Sequence, residues 1–463
     1  MTDPRSRIPS VDALIGSVEV GGLLARYPRA RVVDALRETV AEVRSRLGGG
    51  ESDQDISSPE LYARGAERLL ERADVPSLRR VVNATGVVLH TNLGRAPLAA
   101  SAVDAMRTAA RDYTNLEYDL TAGERGSRYV HCASLLSELT GAEDALVVNN
   151  AAAALVLALN ALARDRGVLV SRGELVEIGG GFRIPEILER SGARMIEVGA
   201  TNRTRVADYE RALDEGDVAL ILKVHRSNFR ISGFTEEASV RELAEVARRH
   251  EIALLHDLGS GLMIGAEALG LSSEPRPHDS LAAGADLVAF SADKLLGGPQ
   301  AGVVLGRGEL VERLRASPLC RALRVDKVTL AGLEATLRLY RDPSRALLEI
   351  PTLRMLSVDP GTLEAHAGEM ASRLSEAGVP CRVVEVAGAV GGGTFPGVEL
   401  ASRAVEIGGG HATELADALR EGDPPVVGRI AYDRLLLDVR TLLPGQDDDL
   451  VRRVREAWGR FTT

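Results

Sequence analysis

Leu287-Val288-Ala289-Phe290-Ser291-Ala292-Asp293-Lys294-Leu295-Leu296-Gly297-Gly298-Pro299-Gln300-Ala301-Gly302 is the stretch on which the fold turns. The apolar run Leu287 to Phe290 reads as a buried strand, and Ser291 to Lys294 as the polar turn that stops it. After Gly297-Gly298-Pro299 a second apolar run, Val303 to Leu305, reads as another strand. Such a turn holds one lysine at the end of a sheet, partly desolvated, beside backbone that carries few side chains. A lysine so placed forms Schiff bases readily, and we read Lys294 as the carrier of pyridoxal phosphate (PLP). On this window alone, an ordinary surface lysine in a loop is an equal reading.

Outward from the turn, strands and helices alternate. Strands are expected at Ala145–Val148, Val168–Val170, Met195–Val198, Val218–Leu222 and Ile252–Leu255, and helices at Ala151–Leu162, Pro185–Arg190, 206–213 and Val240–Arg249. Short apolar runs alternating with helices imply a largely parallel sheet covered on both faces. Ligands of such a sheet sit at the carboxyl ends of its strands. Several features fall there. Asn149-Asn150-Ala151-Ala152 closes a strand and opens a helix, so Asn150, Ala151 and Ala152 read as a phosphate cradle or as a plain cap on an alanine-rich helix. Asp257, before Leu258-Gly259-Ser260-Gly261, reads as the carboxylate that keeps a PLP ring nitrogen protonated, or as a turn residue. Ser291 is a candidate phosphate contact. Asp293 would tune Lys294, act on a proton, or form a local ion pair. Arg95, Arg321 and Arg324 offer planar donor forks to an oxyanion, or belong to a solvated basic face. His225 and Asn228 are polar candidates without an assigned role.

The 463 residues have ordinary apolar content, 45%, but only 3% aromatics, so Ala, Val, Leu and Ile must build the core of two or three domains. We expect a helical N-terminal module over 1–77, with Gly48-Gly49-Gly50-Glu51-Ser52-Asp53-Gln54-Asp55 as its connector, a large α/β domain over 78–340 and a small α+β domain over 341–463. Gly391-Gly392-Gly393 reads as a turn in the last of these, and Val451 to Phe461 as a terminal helix. The net charge of −10 argues against indiscriminate nucleic-acid binding, although residues 1–46 hold eight arginines against six carboxylates. Cys132, Cys320 and Cys381 are widely spaced and fit a reducing cytosol. No apolar run is long enough to span a membrane, and Met1 to Ser10 lacks the apolar core of a secretory signal. The eight histidines are scattered, so no metal site is expected. Gly179-Gly180-Gly181 lacks the strand-to-helix context of a dinucleotide fingerprint.

Taken together, these stretches resemble the bacterial selenocysteine synthases, the L-seryl-tRNA(Sec) selenium transferases, which are PLP enzymes of fold type I. The resemblance rests on the stretch from Asn83-Ala84-Thr85-Gly86 through His90-Thr91-Asn92-Leu93-Gly94-Arg95, on Arg172-Gly173-Glu174-Leu175-Val176-Glu177-Ile178-Gly179-Gly180, and on Lys223-Val224-His225-Arg226-Ser227-Asn228-Phe229-Arg230. It rests also on Asp257-Leu258-Gly259-Ser260-Gly261, the Lys294 turn, Arg321-Ala322-Leu323-Arg324-Val325-Asp326-Lys327 and the opening Ile8-Pro9-Ser10-Val11-Asp12. It covers essentially the whole chain. It implies an aspartate-aminotransferase-like large domain and a cytoplasmic enzyme that converts seryl-tRNA(Sec) to selenocysteinyl-tRNA(Sec). Selenophosphate would be the selenium donor, and the route would pass through a PLP-bound aminoacrylyl ester. It further implies Lys294 as cofactor lysine and Cα base, Asp257 on the ring nitrogen, and Arg95, Arg321 and Arg324 on selenophosphate. The N-terminal module would grip the tRNA, and the assembly would be a homo-oligomeric, decameric ring of dimers. The alternative is a PLP-dependent lyase acting on a free small amino acid or amino-sugar acid without tRNA.

Overall fold

The computed structural model describes residues 7–48, 55–178, 181–272 and 274–461. The expected connector residues Gly49 to Gln54 and the Gly179-Gly180 pair lie outside them. The chain divides into two compact units, Met1–Arg80 and Val81–Thr463.

The first unit is helical: Val11–Ile15, Val18–Arg26, Arg29–Gly48 and Pro59–Asp74. Ser10 caps the first helix, its Oγ accepting from the Ala13 N–H at 3.2 Å. Apolar residues at helical spacing, among them Val32, Leu36, Val40 and Val43, meet Tyr62, Ala66 and Leu70 in a small core. Gly65 permits the closest approach between helices, because a Cβ there would lie 2.3 Å from Thr39 Cγ2.

The second unit is built on a seven-stranded sheet in the order Asp144–Val148, Gly302–Gly306, Leu287–Ser291, Ala253–Gly259, Val218–Val224, Gly167–Ser171, Arg194–Val198. All neighbours are parallel except Gly302–Gly306, which runs against both of its partners as it returns from the Lys294 turn. The inner strands are largely apolar because both faces are covered, whereas the edge strand Arg194–Val198 exposes Arg194 and Glu197. Val288 and Phe290 enter one core while Leu287 and Ala289 enter the other. Gly302 pairs with both Ser291 and Val148, and a Cβ there would lie 2.1 Å from the Asn150 carbonyl oxygen, so only glycine lets the helix start cross the strand.

A five-stranded sheet follows in the order Arg429–Ala431, Arg434–Asp438, Glu399–Ile407, Cys381–Gly391, Val87–Leu89. Its last member is a difference from the sequence reading, which put 78–95 in the large domain. Val87–Leu89 pairs in parallel with Cys381–Gly391, and Val82–Asn83 pairs with Val426–Val427. Runs of two or three residues carry no signal of which sheet edge they will join; the open edge of the long strand Cys381–Gly391 decides it. Gly391, Gly392 and Gly393 all take positive φ in the turn that follows. Among the described residues, no helix is long and apolar enough to cross a membrane, and no cluster of His, Cys, Asp and Glu is arranged to hold a metal ion.

Candidate active site

The strand Leu287–Ser291 delivers Ser291, Asp293 and Lys294 to the carboxyl edge of the large sheet. Backbone bonds fix the turn: Ala292 N–H donates to the Ala301 carbonyl at 2.9 Å, Gly297 N–H to that of Lys294 at 2.9 Å, and Leu295 N–H to that of Ser260 at 3.0 Å. The last of these ties the lysine turn to the neighbouring strand Ala253–Gly259, which carries Asp257 near its end and which Ser260-Gly261 follow. The two meet around a cavity of about 280 Å³ lined by Asn150, Ala151, Ala152, Asp257, Ser291 and Lys294, with Arg95 and Asp293 at its side.

Lys294 is only 5% exposed. Burial, then the positive charge of Arg95, pulls its amine below the ordinary lysine range, while Asp257, Asp293 and Glu274 oppose the shift. Asp257, 7% exposed, is pushed up to about 6 by burial, against the opposing pull of Lys294 and a 3.2 Å bond from the Gly259 N–H to its Oδ1. Amine and carboxyl are thus both held toward their neutral forms, and a cationic ring nitrogen would restore the carboxylate its charge.

The phosphate-type corner is the start of the helix Ala151–Ala163. Asn150 Oδ1 accepts from the Ala153 N–H at 2.9 Å, so the cap reading holds, and the first-turn amides have no partner inside a helix. Ala151 and Ala152 line the cavity and put no bulk over those amides. Helix amides and the Ser291 hydroxyl suit a phosphate, the buried Asp257 a pyridine nitrogen, and the buried amine an aldehyde. The donor set therefore fits PLP.

Arg95 reaches the site from a left-handed backbone position, φ 64°, and its Nη1 donates to Asp293 Oδ2 at 2.8 Å. The rest of the Asn83–Gly94 stretch stays out of this cavity. Asn83 braces its own turn, accepting from Thr85 and donating to the Val87 carbonyl, and Gly86 packs on Asp438. Arg321 and Arg324 do not line the cavity of their own chain. Arg321 is exposed on the short helix Pro318–Ala322, and Arg324 lies 3.9 Å from Glu117, which Arg128 also binds. Their segment is nevertheless tied to the start of the helix Ala151–Ala163, since the Asn149 N–H donates to the Leu323 carbonyl at 2.9 Å. His225 and Asn228 also lie outside this cavity. Gly259, Leu155 and Gln300 line it without having been singled out from the sequence. Gly259 and Gln300 stand in quoted stretches without an assigned role, whereas nothing local to Leu155 marks it.

Fold and site define a class: a fold-type-I α/β protein with a buried lysine in a cavity at the carboxyl edge of the sheet. The solved structure of D-glucosaminate-6-phosphate ammonia-lyase shares this fold, with a TM-score of 0.59 and 21% identity, covering 85% of this chain and 98% of that one. The profile of the L-seryl-tRNA selenium transferase family matches residues 81–443, and that of the selenocysteine synthase N-terminal region matches 5–44. The L-seryl-tRNA(Sec) selenium transferase of Moorella thermoacetica is 49% identical, covering 97% of this chain and 96% of the relative. That of Geobacter sulfurreducens is 47% identical, covering 97% and 98%. The chain belongs to the L-seryl-tRNA selenium transferase family.

Proposed function

We propose that this chain converts L-seryl-tRNA(Sec) to L-selenocysteinyl-tRNA(Sec), with PLP as cofactor and selenophosphate as selenium donor. The observation that carries the reading is the buried Lys294 amine facing a buried Asp257, in a chain nearly half identical along its length to transferases of that name. PLP, when bound, supplies an electron sink that eases loss of a Cα proton and of a Cβ substituent from an amino acid.

The chain's own residues do the rest. The helix start at Asn150, Ala151 and Ala152, with Ser291, binds the cofactor phosphate. Asp257 holds a proton at the ring nitrogen. Lys294 would anchor the cofactor and hold the proton taken from the substrate Cα; its lowered pKa favours the neutral amine that a base requires. Asp293, next to that amine and paired with Arg95, steadies its charge. In the net exchange the serine Cβ–O bond would break with the hydroxyl leaving as water, a Cβ–Se bond would form, and hydrolysis of the donor's Se–P bond would release phosphate. Arg95, with Arg321 and Arg324, binds the selenophosphate anion. The working assembly is a cytoplasmic homo-oligomer, a ring of dimers with sites at subunit boundaries, which gives Arg321 and Arg324 a neighbouring site to serve. The N-terminal unit binds the tRNA through its exposed arginines, among them Arg29, Arg44 and Arg46.

The discriminating experiment offers the cofactor-loaded protein seryl-tRNA(Sec) and, separately, free serine and related amino acids. Turnover is expected only on the tRNA ester. Comparable turnover of a free amino acid would make the chain a lyase instead.

A further inference from the structure

A second cavity, of about 580 Å³, opens at the same end of the seven-stranded sheet. Its walls are the segment from Lys223 to Ile231, the segment around Glu274, and the loop carrying Phe395 and Pro396. It borders the Lys294 cavity in two ways. The His225 N–H donates to the Asp257 carbonyl at 2.8 Å. Gly259 stands between Ser227 and the lysine, since a Cβ there would lie 3.6 Å from Ser227 Oγ and 3.8 Å from Lys294 Nζ.

Three features of this wall are left unused by the fold. Glu274 is 5% exposed, yet its Oε1 has no hydrogen-bond partner, and its Oε2 lies 3.5 Å from a His225 Nε2 that makes no hydrogen bond of its own. A buried carboxylate with an idle oxygen is costly, and a ligand hydroxyl would relieve that cost. Arg230 is exposed, lies along Gly397, and pairs with no carboxylate among the described residues. Phe229 beside it is 36% exposed. Lys223 and Arg226, in the same wall, are already committed, Lys223 to Glu174 at 2.6 Å and Arg226 to Glu237.

A hydroxyl acceptor, an unpaired guanidinium and an open aromatic ring in one polar cleft match the three parts of a nucleotide: ribose, phosphate and base. A second small anion fits less well, because it would leave Glu274 Oε1 without a donor. We infer that this cleft receives the 3′-terminal nucleoside of the aminoacyl-tRNA, with Glu274 taking the free ribose hydroxyl, Phe229 the base and Arg230 the adjoining phosphate. The inference rests on the function proposed above. Serine is esterified to that ribose, so the terminal nucleoside has to lie beside the group that receives the seryl amine.

The test uses the full-length, cofactor-loaded protein and a 5′-CCA-3′ trinucleotide as probe, with binding read by calorimetry. The trinucleotide should bind the wild type and compete with seryl-tRNA(Sec). Phe229→Ala and Arg230→Ala should each weaken it about tenfold and raise the KM for seryl-tRNA(Sec) by a similar factor, more than they lower kcat, with the cofactor absorbance spectrum unchanged. Glu274→Gln should weaken it as well, and the two exposed positions keep the test decisive if that buried substitution unfolds the chain. The inference is overturned if the trinucleotide does not bind, or if Phe229→Ala and Arg230→Ala both bind it as the wild type does. Trinucleotide binding through these residues without any selenocysteinyl-tRNA product upholds the cleft and overturns the proposed function. Turnover with KM unaltered in both variants does the reverse.

Discussion

Lys294 sits among Arg95, Asp257 and Asp293, and its reactivity is the balance of their fields. Burial and the guanidinium of Arg95 lower its pKa, and the carboxylates raise it. Arg95→Ala removes a lowering charge and leaves Asp293 unpaired, and both changes move the lysine pKa upward. Covalent capture of the cofactor, which needs the neutral amine, should therefore shift to higher pH in Arg95→Ala when followed by absorbance; an unmoved profile would show that the pair does not act on the lysine. His256 makes a second pH prediction. It is buried and neutral, lowered to about 3, and its Nδ1 meets the Ser280 hydroxyl at 3.0 Å. The unfolded chain takes up that proton near pH 6.5, so the stability tied to this group is present above 6.5 and drains as pH falls toward 3. The slope is at most about 1.4 kcal/mol per pH unit. Denaturation midpoints of His256→Gln should fall less than those of wild type between pH 6.5 and 4.5. At this scale the sequence was informative wherever a residue sits at or just past the end of a strand. Lys294, Asp257 and Asn150 were legible for that reason, whereas Gln300 and Leu155 reach the cavity only through tertiary packing.

The elements around the site are held together by glycines where backbone meets backbone. Gly302 is the clearest case, since a methyl group there would overlap the Asn150 carbonyl at the start of the helix Ala151–Ala163. Gly302→Ala should destabilise the unit by about 1–3 kcal/mol and weaken cofactor binding, seen as a lower denaturation midpoint and a raised dissociation constant for PLP. Wild-type affinity in that variant would mean that the helix start does not cradle the phosphate. Periodicity located the central strands to within a few residues, because apolar runs buried on both faces are continuous. It misassigned Val87–Leu89, whose sheet is decided by a partner some 300 residues away in the chain, Cys381–Gly391.

At the scale of the whole molecule, an acidic chain must bind a polyanion, and the N-terminal unit, with arginines exposed on its helices, is where we place that contact. Its core of Leu14, Leu36, Tyr62 and Leu70 is separate from the cores of the second unit. A chain starting at residue 81 should therefore retain the cofactor spectrum while losing most of its affinity for seryl-tRNA(Sec), by a factor that shrinks as salt is raised. Equal affinity with and without residues 1–80 would remove the unit from the tRNA contact. The composition and family motifs made the chemistry legible, but not how copies of the chain would associate, because contacts between copies leave no local periodicity to read. The proposed chemistry stands or falls on Lys294. Purified protein given PLP, seryl-tRNA(Sec) and selenophosphate should form selenocysteinyl-tRNA(Sec), and Lys294→Ala, folded but without the cofactor absorbance of wild type, should form none; product from Lys294→Ala at a rate near that of wild type would contradict it.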